Sequence, residues 1–157
     1  MMTTMISGGA RSVADPTGGT VTATVEIAVS PERVFKALTS SEIVGWWVRP
    51  GIFNTTEWNG DVRVGGAWRS SGIARGEPYS VHGSYLEVDP PRKLVHTWHR
   101  VGAPGTPTTV TYLLEKINGG TRLTLHHTGF ESPDFRDSVS AGWESSLRRL
   151  VDMLAVD

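Results

Sequence analysis

The 157 residues suit one domain with a core of its own, and fifteen Lys and Arg against sixteen Asp and Glu leave no global field to attract nucleic acid or an anionic membrane. There is no cysteine, which removes disulfides, thiolate nucleophiles and cysteine-ligated zinc together and fits a reducing compartment. The segment Met1 to Gly19 lacks the apolar core of a signal peptide, and no run elsewhere is long and apolar enough to span a bilayer, so a soluble cytoplasmic protein is expected.

Residues 1–19 are rich in Gly, Ser, Thr and Ala and carry too few large apolar groups to offset the entropy of ordering, so they read as a loose tail before a domain over 20–157. Val21, Ala23, Val25, Ile27 and Val29 alternate with polar residues, the pattern of a strand with one buried face. Ser30-Pro31-Glu32 starts a helix with a capping hydroxyl, a proline preset for the first turn and an acid at the positive end of the dipole. Ser40-Ser41-Glu42 repeats the signal for a second short helix carrying Ile43, Val44, Trp46 and Trp47, which Arg49-Pro50-Gly51 stops. Ile52 to Glu57 reads as a loop leading into a strand that ends near Val64, and Gly65-Gly66 as a tight turn into Ala67 to Ile73. Arg75 to Pro78 is another turn, Tyr79 to Val88 another strand, and Asp89-Pro90-Pro91 another break.

The last three strands can be set in register. Asn118-Gly119 is a favoured two-residue hairpin pair, and placing Ile117 opposite Gly120 sets Leu114 against Leu123, Tyr112 against Leu125 and Val110 against His127. Centring the preceding loop, Val101 to Thr106, puts His96 opposite Tyr112, Trp98 opposite Val110 and Leu94 in line with Leu114. A long helix from Asp134 to Leu154 closes the chain, with Val139, Trp143, Leu147, Leu150 and Leu154 on one apolar stripe and Ser132-Pro133 at its start. Gly142 is the oddity, since a mid-helix glycine costs about 1 kcal/mol relative to alanine. Either a neighbouring backbone comes close or space is kept open there.

Ser30 to Thr39, Trp46-Trp47, Val64 to Trp68, Pro90 to Val95, Gly120 to Leu125, and Gly142-Trp143 with Leu147 and Leu150 form a set of motifs in a fixed order. On these residues the sequence resembles the helix-grip fold of the START-like (SRPBCC) superfamily, which includes polyketide cyclases, and within it the homologues of the activator of heat-shock protein ninety ATPase. The resemblance implies an α+β fold: two short helices after the first strand, and a curved antiparallel sheet of about six to seven strands wrapped around the C-terminal helix with a cavity between.

Small apolar or aromatic molecules are the ligands such a cavity suits, with His96, Trp98, Tyr112 and His127 on its wall, His82 from the neighbouring strand, Trp143 on the helix and Trp47 at the mouth beside Arg49 and Phe53. The other account of His96 and Tyr112 is that they bond each other or a backbone carbonyl and sit in the core, and the residues alone leave both open. Metal binding is disfavoured, because His96 and His99 point to opposite faces, as do His126 and His127, while two strands put roughly 10 Å between His96 and His127. No cofactor is indicated. No nucleophile elbow or triad spacing occurs, so no catalytic residue is assigned, and a general-base role for His96 or His127 rests on placement alone. The resemblance also implies three rivals to ligand binding: a partner module that docks on heat-shock protein ninety and raises its ATPase rate, a cyclase-type enzyme, and an enediyne self-resistance protein.

Overall fold

The computed structural model describes residues 10–14 and 19–155. Strand β1 (Ala10–Ala14) falls within the expected loose tail, yet it pairs antiparallel with β2 (Thr20–Ile27), Ala10 opposite Val25 and Ala14 opposite Val21. Its composition has little strand preference. What holds it is the otherwise free edge of β2, a partner that exists only once the sheet has formed. Residues 1–9 and 15–18 of the expected tail lie outside the described residues.

On β2, Val21, Ala23, Val25 and Ile27 are buried, as their alternation requires. Helix α1 (Pro31–Leu38) opens on Ser30, whose hydroxyl accepts from the Arg33 N–H at 3.2 Å. Helix α2 spans only Ile43–Trp46, and the Trp46 indole N–H donates to the Ala37 carbonyl at 3.0 Å, tying the two helices together. The two-residue β3 (Val48–Arg49) follows, then β4 (Phe53–Gly60), β5 (Ala67–Ala74), β6 (Glu77–Asp89), β7 (Lys93–Arg100), β8 (Thr108–Ile117), β9 (Gly120–Thr128) and α3 (Pro133–Ala155).

Two local expectations change. The stretch from Ile52 is strand from Phe53 onward and ends at Gly60 instead of near Val64. Gly65-Gly66 is the end of a longer loop, not a two-residue turn: the Asp61 carbonyl oxygen occupies the place a Gly66 Cβ would take. Arg75-Gly76 is the two-residue turn, joining Ala74 to its partner Glu77.

The nine strands form one antiparallel sheet in the order β1-β2-β9-β8-β7-β6-β5-β4-β3. The two beyond the expected number are the short edge strands β1 and β3. Helix α3 packs on β1 and β2 at one end of that order and on β3 at the other, so the sheet must curl around it, which is the helix-grip arrangement. Trp143, Leu147, Leu150 and Leu154 are buried in the grip and Val139 is half-buried, while the Ser132 hydroxyl accepts from the Phe135 N–H at 3.3 Å. No helix among the described residues is long and apolar enough to cross a membrane.

Strands β8 and β9 have the derived register, Ile117 opposite Gly120 through Val110 opposite His127. Strands β7 and β8 are shifted by two: Leu94 faces Tyr112, His96 faces Val110 and Trp98 faces Thr108. The loop is not symmetric. The chain turns at once after β7, with the Ala103 N–H bonded to the Arg100 carbonyl at 3.1 Å and Gly102 at φ +84°. Pro107, which has no N–H to give a ladder, then delays the start of β8. A shift of two keeps every side chain on its predicted face but puts His96, Val110 and His127 in one row.

Candidate functional site

A cleft of about 230 Å³ lies between the N-terminal half of α3 and the concave side of the sheet. Its floor is aromatic: Trp47 leaving α2, Phe53 of β4, Trp98 of β7 and Trp143 of α3, with the His127 ring among them. Val139 and Gly142 form the helix side, and Phe135 in the first turn of α3 stands over Trp98 with ring centroids 6.0 Å apart. Gly142 has its explanation here. Among the described residues no backbone from another element approaches it; a Cβ there would sit 3.2 Å from Cε1 of the Phe53 ring, so the missing side chain seats Phe53 and keeps the helix wall of the cleft open.

His127 is held from both sides. The Trp143 indole N–H donates to its Nδ1 at 3.0 Å, which makes Nδ1 an acceptor and assigns the ring proton to Nε2. Nε2–H then donates to the Thr108 hydroxyl at 2.6 Å, and that hydroxyl donates to the Trp98 carbonyl at 3.0 Å. A second proton on Nδ1 would face the indole N–H, donor against donor. Burial, and secondarily the nearby His96, push the His127 pKa down to about 3. The imidazole is therefore neutral at pH 7, with both nitrogens engaged.

His96 is sequestered deeper. Its Nδ1–H donates to the Thr97 carbonyl at 2.9 Å, and the Tyr112 hydroxyl lies 3.3 Å from its Nε2 and donates to it. Burial lowers its pKa to about 4 against the opposing pull of that carbonyl, and burial raises Tyr112 well above its ordinary value, with Tyr85 adding to the effect. Of the two accounts left open by the sequence, this pair follows the core one: neither residue lines the cleft. His82 is corrected outright. It is exposed on the convex face beside His99, because Tyr79, Val81 and Tyr85 take the inward positions of β6. The structure thus brings Trp47, Trp98, His127 and Trp143 together at the cleft and leaves His96, Tyr112 and His82 out of it. At the mouth, Phe53 joins Trp47 on the wall, whereas Arg49 does not. Among the described residues no group of three His, Asp or Glu stands where it could hold a metal ion.

Tyr79, Arg75, Arg100 and Phe135 line the cleft without having been singled out from the sequence. Arg100 continues the inward series Leu94, His96, Trp98, so the strand period alone could have found it. Tyr79 was readable in the same way from Val81. Its hydroxyl lies 3.2 Å from the Thr55 hydroxyl, which itself donates to the Trp47 carbonyl at 2.7 Å, and burial raises its pKa despite Thr55 and Arg100. Arg75 and Phe135 gave no periodic signal, one in a turn and the other in the first turn of a helix.

A family model described as Activator of Hsp90 ATPase homolog 1-like protein matches residues 28–155. The chain belongs to this family. Solved structures of the same architecture include a Chromobacterium violaceum protein, 27% identical with a TM-score of 0.77 over 87% of this chain and 96% of that one. A Rhodobacter sphaeroides protein is 25% identical with a TM-score of 0.79, covering 95% of this chain and 99% of its own. A family member from Silicibacter pomeroyi is 27% identical with a TM-score of 0.74, covering 87% and 98%. No curated protein matches the chain. The family match spans both walls of the cleft, from before α1 to the end of α3.

Proposed function

We propose that this protein binds a small apolar or aromatic molecule in the cleft between α3 and the sheet. The observation that carries the proposal is the cleft itself, about 230 Å³ walled by Trp47, Phe53, Trp98, Phe135 and Trp143. An apolar void of about 150 Å³ already takes up benzene, so this one suits one or two fused rings. Aromatic walls favour flat ligands through stacked and edge-on contacts. The saturated bonding of His127 supports binding over proton transfer, since a neutral ring with both nitrogens engaged has no lone pair to act as a base.

A thermal-shift screen of mono-, bi- and tricyclic aromatic compounds, with native mass spectrometry on those that stabilise, tests the proposal. Stabilisation lost on Gly142→Leu, whose side chain would project into the cleft, is the expected result. A screen in which no compound shifts the melting temperature would sink it. The family description favours a second reading, a partner module that raises the ATPase rate of Hsp90. An ATPase assay of Hsp90 with and without the chain separates the two, and an unchanged rate disposes of that alternative.

A further inference from the structure

The charges around the cleft are one-sided. Arg75 and Arg100 are the charged residues on its lining, and among the described residues no carboxylate joins them. Elsewhere Arg33, Arg63, Arg92, Arg122, Arg136 and Arg148 all have acidic partners. Arg75 and Arg100 have none among the described residues, as is true of Arg49, Arg69 and Arg149 outside the lining; what sets the two apart is that they share one cleft. The Arg100 guanidinium sits over the Tyr79 ring, 5.7 Å from its centroid, and the bond from Tyr79 to Thr55 fixes that ring in turn. An arginine stacked this way has fewer rotamers to lose when it meets a ligand.

Arg75 shows a second departure. Among the described residues it is the one non-glycine with positive φ, at +51°, in the two-residue turn between β5 and β6. Such a turn prefers Asn, Asp or Gly at that place, and a long side chain there works against local preference. Strain kept where a cation reaches the mouth of a cavity points to use of that cation. The remaining polar supply agrees. Trp47, only 7% exposed, keeps a buried indole N–H with no partner among the described residues, whereas His127 has no donor to spare. The unused capacity of the wall is donors and positive charge.

We infer that the natural ligand is an aromatic anion, its ring between the tryptophans and its carboxylate or equivalent acid group on Arg75 and Arg100. This rests on the proposal that the cleft binds an aromatic molecule, and it specifies which chemical class. The guanidinium fork matches a carboxylate with two parallel hydrogen bonds, a geometry a neutral amide cannot return in full.

Matched acid and amide pairs with one, two and three fused rings, benzoate with benzamide and 2-naphthoate with 2-naphthamide among them, test the inference by tryptophan-fluorescence titration. For the best-fitting ring size the acid should bind about tenfold or more tighter than its amide at low salt, and the ratio should shrink as salt rises. The double variant R75Q/R100Q should bring the pair to within about twofold, by weakening the acid far more than the amide, and should shift the melting temperature little, since both arginines are exposed. Equal binding of acid and amide by the parent, or an unaltered ratio in the double variant, would overturn the charge assignment while the aromatic cleft stands. If no pair of any ring size binds, the cleft proposal itself fails and takes this inference with it.

Discussion

Substituting His127 by glutamine isolates the contribution of one buried imidazole to acid stability. In the folded chain His127 takes a proton only near about pH 3 and His96 near about 4, against an ordinary 6.5. Below pH 6.5 the unfolded chain therefore binds protons that the folded chain refuses, so stability is full above that value and is lost as pH falls towards the folded values. Each histidine gives a slope that reaches about 1.4 kcal/mol per pH unit only well below 6.5, which integrates to about 2 kcal/mol between pH 6.5 and 4.5 and about 4 for the two. Set against a total of about 5–15 kcal/mol, that loss is a large fraction of the whole and moves the acid transition upward in pH. Glutamine can keep the local bonds, its amide oxygen accepting from Trp143 and its nitrogen donating to Thr108, but it cannot take the proton. The variant should therefore lose about 2 kcal/mol over the interval where the parent loses about 4. Urea titrations followed by tryptophan fluorescence at pH 7, 5.5 and 4.5 measure both curves, and the carboxylates, common to the two proteins, drop out of the difference. Parallel curves for parent and variant would refute the assignment of a buried, neutral His127.

Gly142→Ala should raise the melting temperature by about 2–4 °C through helix propensity, because the ring 3.2 Å from the new methyl belongs to Phe53, which borders open space and can give way; the same change should weaken probe binding. Calorimetry showing a lower melting temperature would mean that Phe53 cannot move. Thr108→Val leaves the His127 Nε2–H without an acceptor and should cost about 1–3 kcal/mol in denaturant titration, with Thr108→Ser restoring most of it. Trp46→Phe and Trp47→Phe remove the same atoms, but the first breaks a bond to Ala37 and the second deletes an N–H that has no partner among the described residues. The first should therefore be the more destabilising, by about 1–3 kcal/mol.

The elements and the inward faces were legible because they follow from periods of two and of 3.6, which residues 21–27, 108–128 and 139–154 all keep. The Asn118-Gly119 turn fixed one register, because a two-residue hairpin leaves the pairing no freedom. The seven residues after Arg100 fixed nothing: several turns can close such a loop, and the choice made at Gly102 moved β8 by two positions. That shift moves His96 into the row of Val110 and His127, and it is why His96 and Tyr112 bond as a diagonal pair instead of facing each other. His82 was misplaced for a simpler reason: Tyr79, Val81 and Tyr85 mark the odd positions of β6 as inward, and that alternation sends His82 to the other face. Which polar residues on the inner face meet the cleft and which lie under it depends on how deeply α3 sinks into the curl. No pattern along the chain encodes that depth. Trp143 mattered most there, because its indole turns towards His127 and divides the open half of the interior from the filled one.

Strand β1 has a consequence for solution behaviour. A curled open sheet ends in two rows of backbone groups ready to template another chain, and here one end is finished by five residues and the other by two. Removing residues 1–14 would uncover the five residues of β2 that β1 pairs with, Val21 to Val25. The shortened protein should dimerise edge to edge or precipitate, visible as an earlier elution from a sizing column, while its aromatic hollow, lined from the far side of the curl, keeps its shape.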